Sequence, residues 1–172
     1  AVPDGEFERA YSPISKSSWA YTDGIKKYTY DEALAKKLLA SVKIASRSAS
    51  LTITTFAPYV EVAQKIATSW TQIGIPTTVQ VVNAIGNFQV LLTSLSLPPD
   101  PDQYPLWHST QVSTNITGYV NVKIDKLLED GRKELDLEKR KKIYTDFAKR
   151  LVEDAPAIFL YYPTTYTVTR VK

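Results

Sequence analysis

The chain has 172 residues, 44% of them hydrophobic, 11% aromatic and 23% charged, a composition that supplies a core and excludes disorder throughout. Zero cysteines exclude a disulfide framework, and no run approaches the ~18 uninterrupted apolar residues of a membrane-crossing helix. The net charge of +3 comes from 21 Lys and Arg interleaved with 18 Asp and Glu, whereas a nucleic-acid surface needs basic residues clustered without matching acids.

The first residues, Ala1-Val2-Pro3-Asp4, show no basic or apolar leader pattern, so a mature form or an excised fragment is expected. Residues 1–28 are aromatic and polar without sustained periodicity, and an extended, docked segment is predicted there. Thr29-Tyr30-Asp31-Glu32 fits a capping box, with Thr29 as N-cap and Glu32 reaching back. Leu34, Leu38, Leu39 and Val42 follow at helical spacing, predicting a helix over about 30–41. Beyond a serine-rich loop, the β-branched alternation of 51–56 predicts a strand that Pro58 ends. Val62, Ile66, Trp70 and Ile73 share one helical face, Gly74 suits a C-cap and Pro76 forbids continuation. Residues 78–82 form a second strand. Strand, helix, strand in this order is a βαβ unit with parallel strands.

A short apolar run over 88–92 is strand-like. Residues 97–105 carry four prolines and are predicted as a stiff loop. Asn121 caps a helix bearing Ile124, Leu127 and Leu128. Asp136 caps a longer one bearing Ile143, Tyr144, Phe147, Ala148, Leu151 and Val152, closed by Pro156. Strands are predicted over 158–162 and 166–170. The alternation runs to the end of the sequence without a turn, which favours a fragment. The fold class is α/β.

Much chemistry is absent. A single histidine, His108, excludes a histidine metal cluster within this chain. There is no Gly-x-Ser-x-Gly elbow and no phosphate-binding glycine loop. Asp100 and Asp102 resemble the start of a calcium loop, but Pro105 and Gln111 occupy the positions that need Gly and Glu. The plainer reading is that Asp-Pro-Asp caps turns. Trp70 reads as core, and Lys139-Arg140-Lys141-Lys142 as a solvated helix face. Asn115-Ile116-Thr117 matches a glycosylation sequon. Tyr104, Trp107, His108, Gln111, Asn115 and Tyr119 cluster in or beside the proline loop. Large amphipathic side chains on a rigid loop suit a binding surface, or pack that loop onto the sheet.

The order Leu97-Pro98-Pro99-Asp100-Pro101-Asp102-Gln103-Tyr104, Trp107-His108-Ser109-Thr110-Gln111, Ile124-Asp125-Lys126-Leu127-Leu128, and Glu153-Asp154-Ala155-Pro156 with Phe159-Leu160-Tyr161 resembles the C-terminal lobe of the family 5 extracellular solute-binding proteins. These are the peptide, nickel and related receptors of ABC importers. Trp19-Ala20-Tyr21, Tyr30-Asp31 and Trp70 with Ile73-Gly74-Ile75 agree. The resemblance implies one lobe of a two-lobed, periplasmic-binding-protein-like receptor, with a mixed sheet flanked by helices. Residues 1–172 would form that lobe, with 1–28 docked on an α/β core over 29–172. It implies a non-enzymatic, exported, membrane-anchored, monomeric protein without cofactor or metal. Its partners would be a small solute such as a peptide, the other lobe and a membrane permease, with no nucleic acid. Ligand would meet Ser94, Ser96, Leu97, Asp100, Tyr104, Trp107 and His108. Peptide receptors place an amine-pairing Asp where Leu97 stands and a Trp where Ser94 stands. The segment between Val82 and Phe88 is short for the family. Two other readings are a protein-interaction domain using the loop over 97–107 and a hydrolase pairing His108 with Ser109 or Asp100.

Overall fold

The computed structural model describes residues 7–41, 50–163 and 169–170. The elements in chain order are β1 (Phe7–Arg9), α1 (Glu32–Ser41), β2 (Leu51–Thr55), α2 (Val60–Gln72), β3 (Thr77–Val81), β4 (Val90–Leu92), α3 (Tyr104–Trp107), α4 (Val122–Lys133), α5 (Leu137–Asp154) and β5 (Tyr161–Pro163). They divide into two compact units: residues 29–95 build the first, and 7–28 with 96–170 build the second.

The first unit holds a three-stranded sheet in the order β3-β2-β4. Both pairings are parallel, with Ile53 opposite Val79 on one side and Val90 on the other. The predicted βαβ unit is therefore present, and β4 extends it. Ile53, Ala63 and Ala67 form the buried centre, with Ile66, Trp70, Val79, Val90 and Leu92 packed around them. Two alanines on α2 let its backbone approach the sheet closely. Gly74 stops α2 with φ of +96°, a conformation that costs a side-chain-bearing residue about 1 kcal/mol or more.

The cap of α1 differs from the expected one. The Asp31 carboxylate accepts the Leu34 N–H at 2.8 Å, so Asp31 is the N-cap instead of Thr29. Glu32 is then the first helical residue, too early in the turn to reach back. It binds Lys36 at 2.6 Å instead, one turn on. Leu34 and Leu38 on α1 are exposed.

The second unit packs α4 and α5 over Ile14, Ala20 and Ile25 of the N-terminal segment. The Asn121 side chain accepts from the N–H groups of Lys123 and Ile124, and that of Asp136 from Lys139, so both predicted caps are in place. Tyr144, Phe147, Ala148 and Leu151 are completely buried along α5. Burial of each large side chain is worth about 1.5–3 kcal/mol. Gly131 lets the helices touch: a Cβ there would lie 2.8 Å from Cζ of Tyr144. Ala155, at φ 50°, closes α5 in the left-handed conformation, and Pro156 prevents its extension.

β1 and β5 pair antiparallel, with Phe7 opposite Pro163. The α/β class holds, with the parallel and antiparallel pairings in separate sheets. The strand expected over 158–162 is displaced to Tyr161–Pro163, and the one expected over 166–170 falls largely outside the described residues. The stiff loop ends at Gln103, because Tyr104–Trp107 forms one helical turn with Pro105 in its first positions.

Candidate ligand-binding site

The proline loop is fastened by its own acids. Asp100 accepts the Asp102 N–H, and Asp102 accepts the Tyr104 N–H, each at 3.0 Å, which bends the chain through Pro101. Each carboxylate also meets an arginine. Arg140 grips Asp100 with two parallel bonds of 2.8 Å, and Arg132 donates to Asp102 at 2.8 Å. The Arg140 hydrogen bonds hold the Asp100 carboxyl below the usual aspartate range. Arg140 also donates to the Gly131 carbonyl at 2.8 Å. It therefore ties α4, α5 and the loop together. The solvated-face reading of residues 139–142 holds for the lysines but fails at Arg140, which turns inward to a charge partner.

Gln103 is the internal clasp, only 3% exposed. Its amide nitrogen donates to the Pro13 carbonyl, and its oxygen accepts the Trp107 ring N–H at 2.8 Å. Trp107 is thereby fixed in the core. Tyr104 stacks on His108 with centroids 4.0 Å apart, and the Arg132 guanidinium sits 4.0 Å from the centre of the Tyr104 ring. His108 is buried. Its Nδ1 lies 2.8 Å from the Thr110 hydroxyl and 3.2 Å from the Thr110 N–H, while Nε2 lies 3.5 Å from Glu129.

The seven expected residues are divided between the units. Asp100, Tyr104, Trp107 and His108 are brought into one network in the second unit. Ser96 and Leu97 precede them, with Ser96 exposed and Leu97 half-buried. Ser94 follows β4 in the first unit, exposed, and its hydroxyl accepts from the Tyr59 hydroxyl at 2.6 Å. Sequence reasoning missed Tyr59, Gln103 and Arg132. Only an acid in the loop hinted at Arg132, and nothing adjacent in sequence hinted at the other two. Two depressions of the second unit contain none of the seven; the larger, about 340 Å³, is lined by Asp130, Lys133, Glu134 and Ile143.

The Ser109 hydroxyl donates to Asp125 at 2.6 Å, so its proton is not directed at His108. Asn115 of the sequon is buried, its amide donating to the Tyr119 carbonyl at 2.8 Å and its oxygen accepting from Thr117. No group of three or more metal-ligating side chains occurs among the described residues, and none of their helices is long and apolar enough to cross a membrane.

The sequence profile of the bacterial extracellular solute-binding proteins, family 5 Middle, matches residues 1–115. The chain belongs to this family. It is 29% identical over 193 aligned positions to the oligopeptide-binding protein AppA of Bacillus subtilis (strain 168), covering 96% of this chain but 36% of that protein. The structure of AppA in complex with a nonapeptide superposes with a TM-score of 0.81, covering 93% of this chain and 37% of that one. DppA from Helicobacter pylori, in complex with the peptide STSA, gives a TM-score of 0.83 at 25% identity, covering 91% and 34% of the two chains. NikZ from Campylobacter jejuni, in complex with Ni(L-His), gives 0.79 at 28% identity, covering 91% and 36%. The chain thus spans about a third of the length of these family 5 relatives.

Proposed function

We propose that this chain is one lobe of a substrate-binding receptor that delivers a small solute, foremost a peptide, to an ABC importer in the membrane. The observation that carries this reading is the family 5 match over residues 1–115. The receptor would be exported to the periplasm or cell surface, anchored to the membrane in its full-length form, and monomeric. Its partners would be the solute, a second lobe and the permease. Closure of two walls on a ligand would bury it, which is how such sites gain affinity.

In the second unit the ligand would rest on Ser96 and Leu97. The Asp100, Tyr104, Trp107 and His108 network would hold that wall rigid, and rigidity lowers the ordering cost of binding. Binding without catalysis is supported by the donation of the Ser109 hydroxyl to Asp125. The pairing of Asp100 and Asp102 with arginines supports a loop that offers a peptide's ammonium no unpaired carboxylate.

The test uses the protein at its full natural length. It is purified without denaturation, and native mass spectrometry identifies what it retains. A retained peptide, with micromolar or tighter affinity on readdition in a calorimeter, is expected. A protein that retains nothing, binds no peptide, and hydrolyses esters in a His108-dependent way would refute the reading.

A further inference from the structure

The geometry points to Tyr59 and Ser94 as a paired donor subsite that reads an oxygen acceptor of the ligand, a carbonyl or a carboxylate, at the carboxyl end of the parallel sheet. The inference rests on the receptor reading above and adds to it a ligand chemistry and a residue, Tyr59. β2 and β4 are hydrogen-bonded neighbours running in the same direction, so their carboxyl ends lie side by side. In open parallel sheets, ligands bind outside that edge. Ser94 follows the end of β4. Tyr59 follows the end of β2, where a 3-10 turn over Ala57–Tyr59 leads into α2 and the Tyr59 N–H is held by the Phe56 carbonyl at 2.9 Å. Ser94 is exposed at this edge and Tyr59 is half-buried.

The 2.6 Å bond between them has a direction. A phenol, with a pKa near 10, is a stronger proton donor than an aliphatic alcohol, so Tyr59 donates and the Ser94 oxygen accepts. The Ser94 proton then remains to be given away. A hydroxyl that accepts a hydrogen bond is polarised into a better donor itself, so Tyr59 strengthens what Ser94 offers. No charged side chain hydrogen-bonds either hydroxyl among the described residues, so the pair presents a neutral donor. Its complement is an oxygen lone pair. A peptide supplies such oxygens in every backbone carbonyl and in its terminal carboxylate.

The experiment takes the full-length protein and an equimolar library of unmodified peptides from dipeptides to nonapeptides. The peptide best retained by the wild type is titrated calorimetrically, together with its C-terminally amidated form, against Ser94→Ala, Tyr59→Phe and the double variant. Thermal melts check that all fold. Ser94→Ala is expected to weaken binding roughly three- to tenfold, the range of one neutral hydrogen bond, and Tyr59→Phe by a smaller factor. The double variant should bind no more weakly than Ser94→Ala alone, because Tyr59 acts through Ser94. A Ser94→Ala penalty that persists with the amidated peptide assigns a backbone carbonyl, and one that shrinks assigns the carboxylate. Unchanged affinity in Ser94→Ala, or independent factors that multiply in the double variant, overturns the subsite while leaving the receptor reading intact. A folded wild type that binds no peptide overturns both.

Discussion

Replacing Gly131 by alanine tests whether the contact between α4 and α5 is as tight as the geometry shows. The added Cβ would lie 2.8 Å from Cζ, 2.9 Å from the hydroxyl and 3.1 Å from Cε2 of Tyr144. Tyr144 is completely buried and makes an edge contact with Phe147 at 6.4 Å between centroids. Its ring cannot retreat without disturbing that neighbour. Overpacking of this kind costs about 1–3 kcal/mol, and three simultaneous contacts place Gly131→Ala near the upper end. Alanine returns about 1 kcal/mol as the better helix former. The net expectation is a loss of about 2 kcal/mol, or about 4–8 °C in Tm for a chain of this size. Urea titration should show a lower midpoint at constant slope. In a Tyr144→Leu background the same substitution should become neutral or stabilising, since the ring is gone. A wild-type background in which Gly131→Ala raises the midpoint would falsify the close-contact argument.

The pairing of Asp100 with Arg140 predicts an acid-dependent contribution. The Asp100 carboxyl titrates below its usual value, so its stabilisation is present above about pH 4 and lost as pH falls through the lower folded value. Half of the Asp100 side chain is exposed, which limits the effect to about 1 kcal/mol. Urea midpoints of the wild type should fall on acidification by that amount more than those of Arg140→Gln, and parallel acid profiles would contradict the pairing. Asn121→Ala should cost about 1–2 kcal/mol because it removes a helix cap, and Asn121→Ser should restore most of it. Equal loss in both variants would shift the importance to the Asn121 bond with Asp154. Acetylating the amine of a bound peptide should leave calorimetric affinity for the full-length receptor unchanged. An acid-paired amine would instead lose about 2 kcal/mol or more, and such a loss would refute the reading of Leu97.

What the sequence made legible is what depends on near neighbours. The βαβ unit showed in the alternation of 51–56 and 78–82 around one apolar helical face. Asn121 and Asp136 announced their helices because a cap acts within three residues of itself. At the start of α1 the capping-box spacing pointed to Thr29, whereas the Asp31 carboxylate takes the Leu34 N–H. Only the position of the first helical turn decided between them. The proline loop was legible in the sequence, but its fastening was not. Gln103 bridges Pro13 and Trp107, and Arg140 reaches Asp100, across chain separations that no periodicity encodes. Arg140 also sat in a run of four basic residues whose average character is solvated, which hid the one that turns inward.

The pairing of β1 with β5 has a kinetic consequence. It joins segments from near opposite ends of the chain, and the entire first unit is threaded between them. Residues 29–95 can close their parallel sheet from strands close in sequence, whereas the N-terminal segment has no core until α4 and α5 have been made. Made well before α4 and α5, Ile14, Ala20 and Ile25 wait for those helices to follow. Closing so long a loop is entropically costly and slow. Residues 7–28 are therefore ordered later than the sheet within 29–95, and during that interval their aromatic and apolar side chains are open to any chaperone or wrong partner.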